Sequence, residues 1–161
     1  MARLDKISIP KYTLGEEIFN AVSHGVGASF GIVALVITII FAAKHGNPAG
    51  VVAASIYGAT MIIMYTMSCV YHALSPKLKA KKVFRVIDHC DIYVFIAGCC
   101  TPFCISLIGG VLGWTIFGVI WGCAILGVLL NAIDIDKFNI PSFILYLVMG
   151  WMIVISFNTL L

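Results

Sequence analysis

Charge is what this sequence has least of: Asp, Glu, Lys and Arg together make up 11% of it, against about 25% in an average soluble domain. With 61% hydrophobic residues, so little charge could not keep the surface of a globule wet. That shortage excludes a soluble globular enzyme, and the apolar excess excludes a disordered chain. A net charge of +3 carried by scattered bases is too weak a footprint for DNA or RNA, so no nucleic-acid partner is expected. The long apolar runs lack the alternating period of a barrel wall, which excludes a transmembrane β-barrel. Paired cysteines are missing too. Cys69, Cys90, Cys99, Cys100, Cys104 and Cys123 form no C-x-x-C, so neither a disulfide framework nor a thiolate zinc knuckle is indicated. They read as small apolar residues, with Cys100 and Cys104, four apart on one helix face, leaving a minor metal reading.

What is there is a set of long apolar runs, and a mean hydropathy of +1.08. Crossing a hydrocarbon core takes ~20 helical residues. Five stretches qualify, at about 21–43, 49–74, 86–108, 112–133 and 140–161. They predict an all-α, polytopic transmembrane bundle forming a single integral membrane domain over residues 1–161. The breakers between them are short: Lys44 to Pro48, Ser75-Pro76, Gly109-Gly110 and Asp134 to Asn139. Neighbouring helices are therefore expected to be antiparallel and packed. Small residues recur four apart at Gly25 and Ser29, Gly27 and Gly31, and Gly118 and Gly122. That spacing lets helices approach closely in lipid, although glycine is also simply frequent in membrane helices.

Residues 1–15 are polar and interrupted by Pro10, so no signal peptide is expected and the first span directs insertion. Basic residues set the orientation. The N-terminal segment, the second loop and the fourth loop hold nine Lys and Arg against one in the first loop and none in the third. The N-terminus is expected in the cytoplasm, in a multi-pass protein of the cell membrane, with the end of the fifth span outside. The basic run Lys77 to Arg85 reads as a topology determinant that touches anionic lipid.

Ionisable residues inside a span cost several kcal/mol and usually face the bundle interior. Three clusters stand out: Glu16, Glu17 and His24 in the first span, Ser68 to His72 closing the second, and Asp88-His89-Cys90-Asp91 opening the third. Antiparallel packing brings all three to one layer at the cytoplasmic side. Ser68 and His72 stack four apart, Asp88 and Asp91 share a face three apart, and Glu17 and His24 lie seven apart on one stripe. Imidazole and carboxylate are zinc donors, a nearby carboxylate can act as general base, and a hydroxyl can orient the reacting groups. Blander readings stand beside these. Ser68 can bond back to its own helix. His72 can cap near Ser75, Asp88 can pair with Arg85 or Lys82, and Glu16 and Glu17 can be first-turn acids. His45 reads as a solvent-facing loop residue. On physics alone Asp91, a turn deeper, is more unusual than Asp88.

The run Glu16-Glu17-Ile-Phe-Asn20 with His24-Gly25, then Ser68-x-x-x-His72, then Asp88-His89-Cys-Asp-Ile-Tyr-Val-Phe-Ile-Ala-Gly98 with Thr101-Pro102-Phe103, resembles the bacterial haemolysin III family. That family belongs to the progestin and adipoQ receptor group and is similar to the alkaline ceramidases. The resemblance covers essentially the whole chain. It implies a seven-helix bundle, cytoplasmic at its N-terminus, with zinc near the inner leaflet. His72 matches a zinc ligand, Ser68 the serine of the second-helix motif, and Asp88 the aspartate that holds the metal's water. Ser68 and Asp88 are the catalytic candidates it implies, and His72 and Asp88 the metal candidates. The family's other ligands come from an H-x-x-x-H motif that is absent here, where the histidines are His24, His45, His72 and His89. This chain is expected to be two helices short, with substitute ligands drawn from His24, Glu17, His89 or a second subunit. The implied functions are cytolysis, membrane-lipid homeostasis or sensing, and, as an alternative, zinc-dependent hydrolysis of an amide in a ceramide-like lipid. Membrane lipid and a second copy of the chain are the expected partners.

Overall fold

The computed structural model of the chain describes Leu4 and residues 6–156. Among the described residues the chain forms α-helices α1 (Leu14–Lys44), α2 (Pro48–Ala73), α3 (Lys79–Pro102), α4 (Gly110–Asp134) and α5 (Asn139–Ser156). The described residues contain no strand. The first four helices are long and apolar enough to cross a membrane. Over its described apolar length, Asn139–Met152, α5 is shorter than that. The expected fifth span continues to residue 161, and its last part lies outside the described residues.

Local chemistry sets the helix ends. α1 begins earlier than hydropathy alone suggests because Thr13 and Glu16 form a capping box: Glu16 N–H donates to Thr13 Oγ1 at 3.3 Å, and Thr13 N–H donates to Glu16 Oε2 at 2.7 Å. α2 starts with Pro48 in its first turn, behind an Asn47 cap that accepts the Gly50 N–H at 2.8 Å. Pro102 has no N–H to continue the α3 ladder, and the chain widens into one π-helical stretch, Phe103–Ile108. Gly109 and Gly110, at φ 60° and 57°, then turn it in a conformation that favours glycine.

Packing follows chain order, α1 on α2, α2 on α3, α3 on α4 and α4 on α5, while α3 also reaches α5. α3 is accordingly the hub. Its Tyr93, Ala97 and Cys100 enter the core with Cys104, Ile116, Ile120, Ala124 and Met149. A Cβ on Gly127 would overlap the Tyr93 ring, and one on Gly27 the Tyr65 ring, so both glycines are needed for close helix contact. Gly118 and Gly122 meet no neighbour among the described residues, and their spacing performs no packing there. α1 leaves Phe19, Phe30, Ile37 and Phe41 exposed, as a lipid-facing helix does.

Candidate functional site

α1 and α2 run antiparallel, and their polar residues meet as two rungs. The upper rung joins His24 Nδ1 to Ser68 Oγ at 2.7 Å. The lower rung joins His72 Nδ1 to Glu17 Oε2 at 2.7 Å. The two imidazoles stand edge-on, with ring centroids 5.9 Å apart. Ser68 thus bonds across to α1, and His72 bonds to Glu17 and does not cap near Ser75. Glu16 serves the capping box, while Glu17 enters the site.

The third helix adds charge to this layer. Lys81 is fully buried; its ammonium donates to Glu17 Oε1 and to the Leu74 carbonyl at 2.9 Å, and lies 5.0 Å from the Tyr71 ring centre. Asp88, half-buried, interacts electrostatically with His24, His89 and Tyr71. Asp91 Oδ2 is buried and has no hydrogen-bond partner among the described residues. Glu17 is therefore joined to His72 and His24 to Ser68, and Asp88 lies within electrostatic range of His24. Cys100 and Cys104 lie in the apolar core, away from this layer. His45 is exposed at the other end of α1, its Nδ1 2.8 Å from the Phe41 carbonyl. The His89 carbonyl accepts from Tyr146 Oη at 2.9 Å and ties α3 to α5.

A second cluster holds the N-terminal segment over the same end. Ser8 donates through N–H and Oγ to Asp136, at 3.1 and 3.0 Å. Arg85 donates to Asp136 at 3.0 Å and to the Ser8 carbonyl. Lys82 reaches the Leu4 carbonyl at 3.0 Å. Burial pushes the Asp136 carboxyl up, but the bonds from Ser8 and Arg85 outweigh it and hold the group below its ordinary value. Further along the segment, the Tyr12 ring packs on His72 with centroids 5.5 Å apart.

Lys81, Arg85 and Tyr12 are the site residues that reading the sequence missed. Lys81 and Arg85 belong to the first turns of α3, which begins well before residue 86, and they pair with protein carboxylates. Arg85 accordingly pairs with Asp136 and not with Asp88. Extending the helical period backwards from Asp88 would have found them, since positions 81, 85 and 88 share one face.

A zinc site takes three or four protein donors. Both imidazoles leave Nε2 without a hydrogen bond to a described residue, but no three His, Cys, Asp or Glu side chains among the described residues are placed to share a metal. These residues alone do not fit zinc.

The bundle and its layer of buried polar side chains define a multi-pass membrane protein with a polar centre at one end of its helices. The family model described as Haemolysin-III related matches residues 12–161. The chain is 41% identical to Hemolysin-3 of Bacillus cereus over 145 residues, which are 90% of this chain and 66% of that protein. It is 39% identical to the Hemolysin-3 homolog of Bacillus subtilis (strain 168) over 149 residues, 92% of this chain and 70% of that protein. The chain belongs to the haemolysin III family, and it spans about two thirds of the length of these curated relatives. No solved structure matches it significantly.

Proposed function

We propose that this haemolysin III protein sits in the cell membrane with its N-terminus in the cytoplasm, and that it acts on membrane lipid through the polar layer of α1, α2 and α3. The observation that carries the reading is the pair of rungs, Glu17 to His72 and His24 to Ser68, both 2.7 Å long. Four polar groups brought together in a span are costly to bury and mark a working site more often than a packing device. The excess of basic residues on the N-terminal side supports the orientation.

Zinc belongs to the proposal as an element still to be measured. His72 would supply one imidazole donor and Asp88 a carboxylate, with the remaining donors on a second copy of the chain. The relatives' printed name points to cytolysis, and a lytic act directed at lipid is the form of the proposal tested first. The amide-hydrolase alternative draws on the His24–Ser68 pair, since an imidazole oriented on a hydroxyl is a group that can assist acyl chemistry.

The test measures zinc content and erythrocyte lysis together, on the purified parent, His72→Ala and Asp88→Ala. Stoichiometric zinc in the parent that is lost in His72→Ala, with lysis lost in parallel, supports the reading. A parent without zinc removes the metal from it. Lysis that survives His72→Ala takes cytolysis away from this layer.

A further inference from the structure

We propose that Glu17 and Lys81 are positioning residues that fix the tautomer of His72, with the proton on Nδ1 and the lone pair on Nε2. The inference concerns the same layer as the proposed function, yet it rests only on hydrogen-bond logic within this chain.

Lys81 provides the first constraint. A Lys side chain with no exposed surface keeps its charge only when that charge is paired and its donors are satisfied. Here the ammonium meets Glu17 Oε1, the Leu74 carbonyl and the face of the Tyr71 ring. The carboxylate beside it is the counter-ion, so Glu17 is ionised. An ionised carboxylate only accepts hydrogen bonds. Glu17 Oε2 lies 2.7 Å from His72 Nδ1, and the proton between them therefore belongs to the imidazole nitrogen. When the ring carries a single proton, a proton on Nδ1 leaves the lone pair on Nε2, the atom that no described residue engages.

This arrangement makes His72 an acceptor at Nε2, the property required of a metal ligand or of a general base. Its ring is also packed by Tyr12 and Tyr71, with centroids 5.5 and 4.7 Å away. The three residues come from three helices, so the tautomer of a side chain on α2 is set by α1 and α3 together.

The test is a long-range proton–nitrogen NMR correlation of the His72 ring in the full chain, in detergent and after chelation, with assignment by a His72→Gln difference spectrum. The parent is expected to show a pyrrole-type Nδ1 and a pyridine-type Nε2. In Glu17→Met/Lys81→Met both charges leave together, so no unpaired ion is buried, and the proton is expected to move to Nε2, reversing the two signatures. Lys81→Arg keeps the counter-ion and is expected to retain the parent pattern. A pyridine-type Nδ1 in the parent, a doubly protonated ring, or an unchanged pattern in the double variant would overturn the proposal. Because the spectra are taken without metal, a parent that binds no zinc counts against the proposed function and leaves this one standing.

Discussion

Replacing Lys81 by Met keeps an unbranched side chain, one atom shorter, while removing the ammonium and its contact with the Tyr71 ring. The Lys81 side chain is 0% exposed and that of Glu17 13%, so the carboxylate left behind is poorly solvated. Removing one partner of a buried ion pair costs about 3–5 kcal/mol, chiefly because the other charge is left uncompensated. At ~2–4 °C per kcal/mol for a chain of this size, Lys81→Met is expected to lower the unfolding midpoint by roughly 6–20 °C. Glu17→Met added to it removes the stranded charge, and most of the loss is expected to return. Thermal unfolding followed by tryptophan fluorescence in one detergent measures both variants, with exposed Lys77→Met as a control expected to stay within about 0.5 kcal/mol of the parent. A single variant as stable as the parent, or a double variant no better than the single, would refute the idea that this pair holds α1 to α3.

Three further outcomes follow from the same contacts. The Asp136 carboxyl lies below its ordinary value, so its hold on the N-terminal segment is complete above about pH 4 and lost as pH falls through the folded value; the protection of the Ser8 amide, its exchange rate corrected for the intrinsic one, should fall there, and Asp136→Asn should lower that protection and remove its dependence on pH. Gly127→Leu forces a side chain into the Tyr93 ring and is expected to cost about 1–3 kcal/mol by thermal unfolding, whereas Gly118→Ala, with open space around it, should be neutral within about 0.5 kcal/mol. Where the purified parent carries zinc, elemental analysis is expected to show that content lost in His72→Ala, whose imidazole the proposed function counts among the donors.

The helices were legible because membrane spans announce themselves by length and composition. Gly109-Gly110 ends the third span where expected, and Pro48 opens the second. The polar layer was legible as well, because Glu17, His24, Ser68 and His72 violate the apolar pattern around them. Their partners were less so. Glu17 meets a histidine 55 positions away and a lysine 64 positions away, and no local period reports such a pairing. Ser68 offered two readings, a bond to its own helix or a hydroxyl that orients reacting groups, and its bond across to His24 depends on the register of α1 on α2, which no local pattern reports. Lys81 and Arg85 were hidden by their company: in a run of bases each reads as a solvated charge, although the turn that buries them is part of α3. The π-helical stretch after Pro102 was also invisible, since a proline predicts a break without specifying how the chain absorbs it.

α1 packs on α2 and presents most of its remaining surface outward, which bears on how the protein is made. A helix carrying Glu17 and His24 enters lipid at a penalty of several kcal/mol if it enters alone. Its partners for those groups, Ser68 and His72, are synthesised tens of residues later. The two polar rungs therefore make α1 and α2 a single unit of insertion: the first helix gains its full stability in the bilayer only when the second arrives beside it. Sliding the hairpin by one residue would break both rungs at once. The groups that form the candidate site thus also check that the first two helices have been assembled in the correct register.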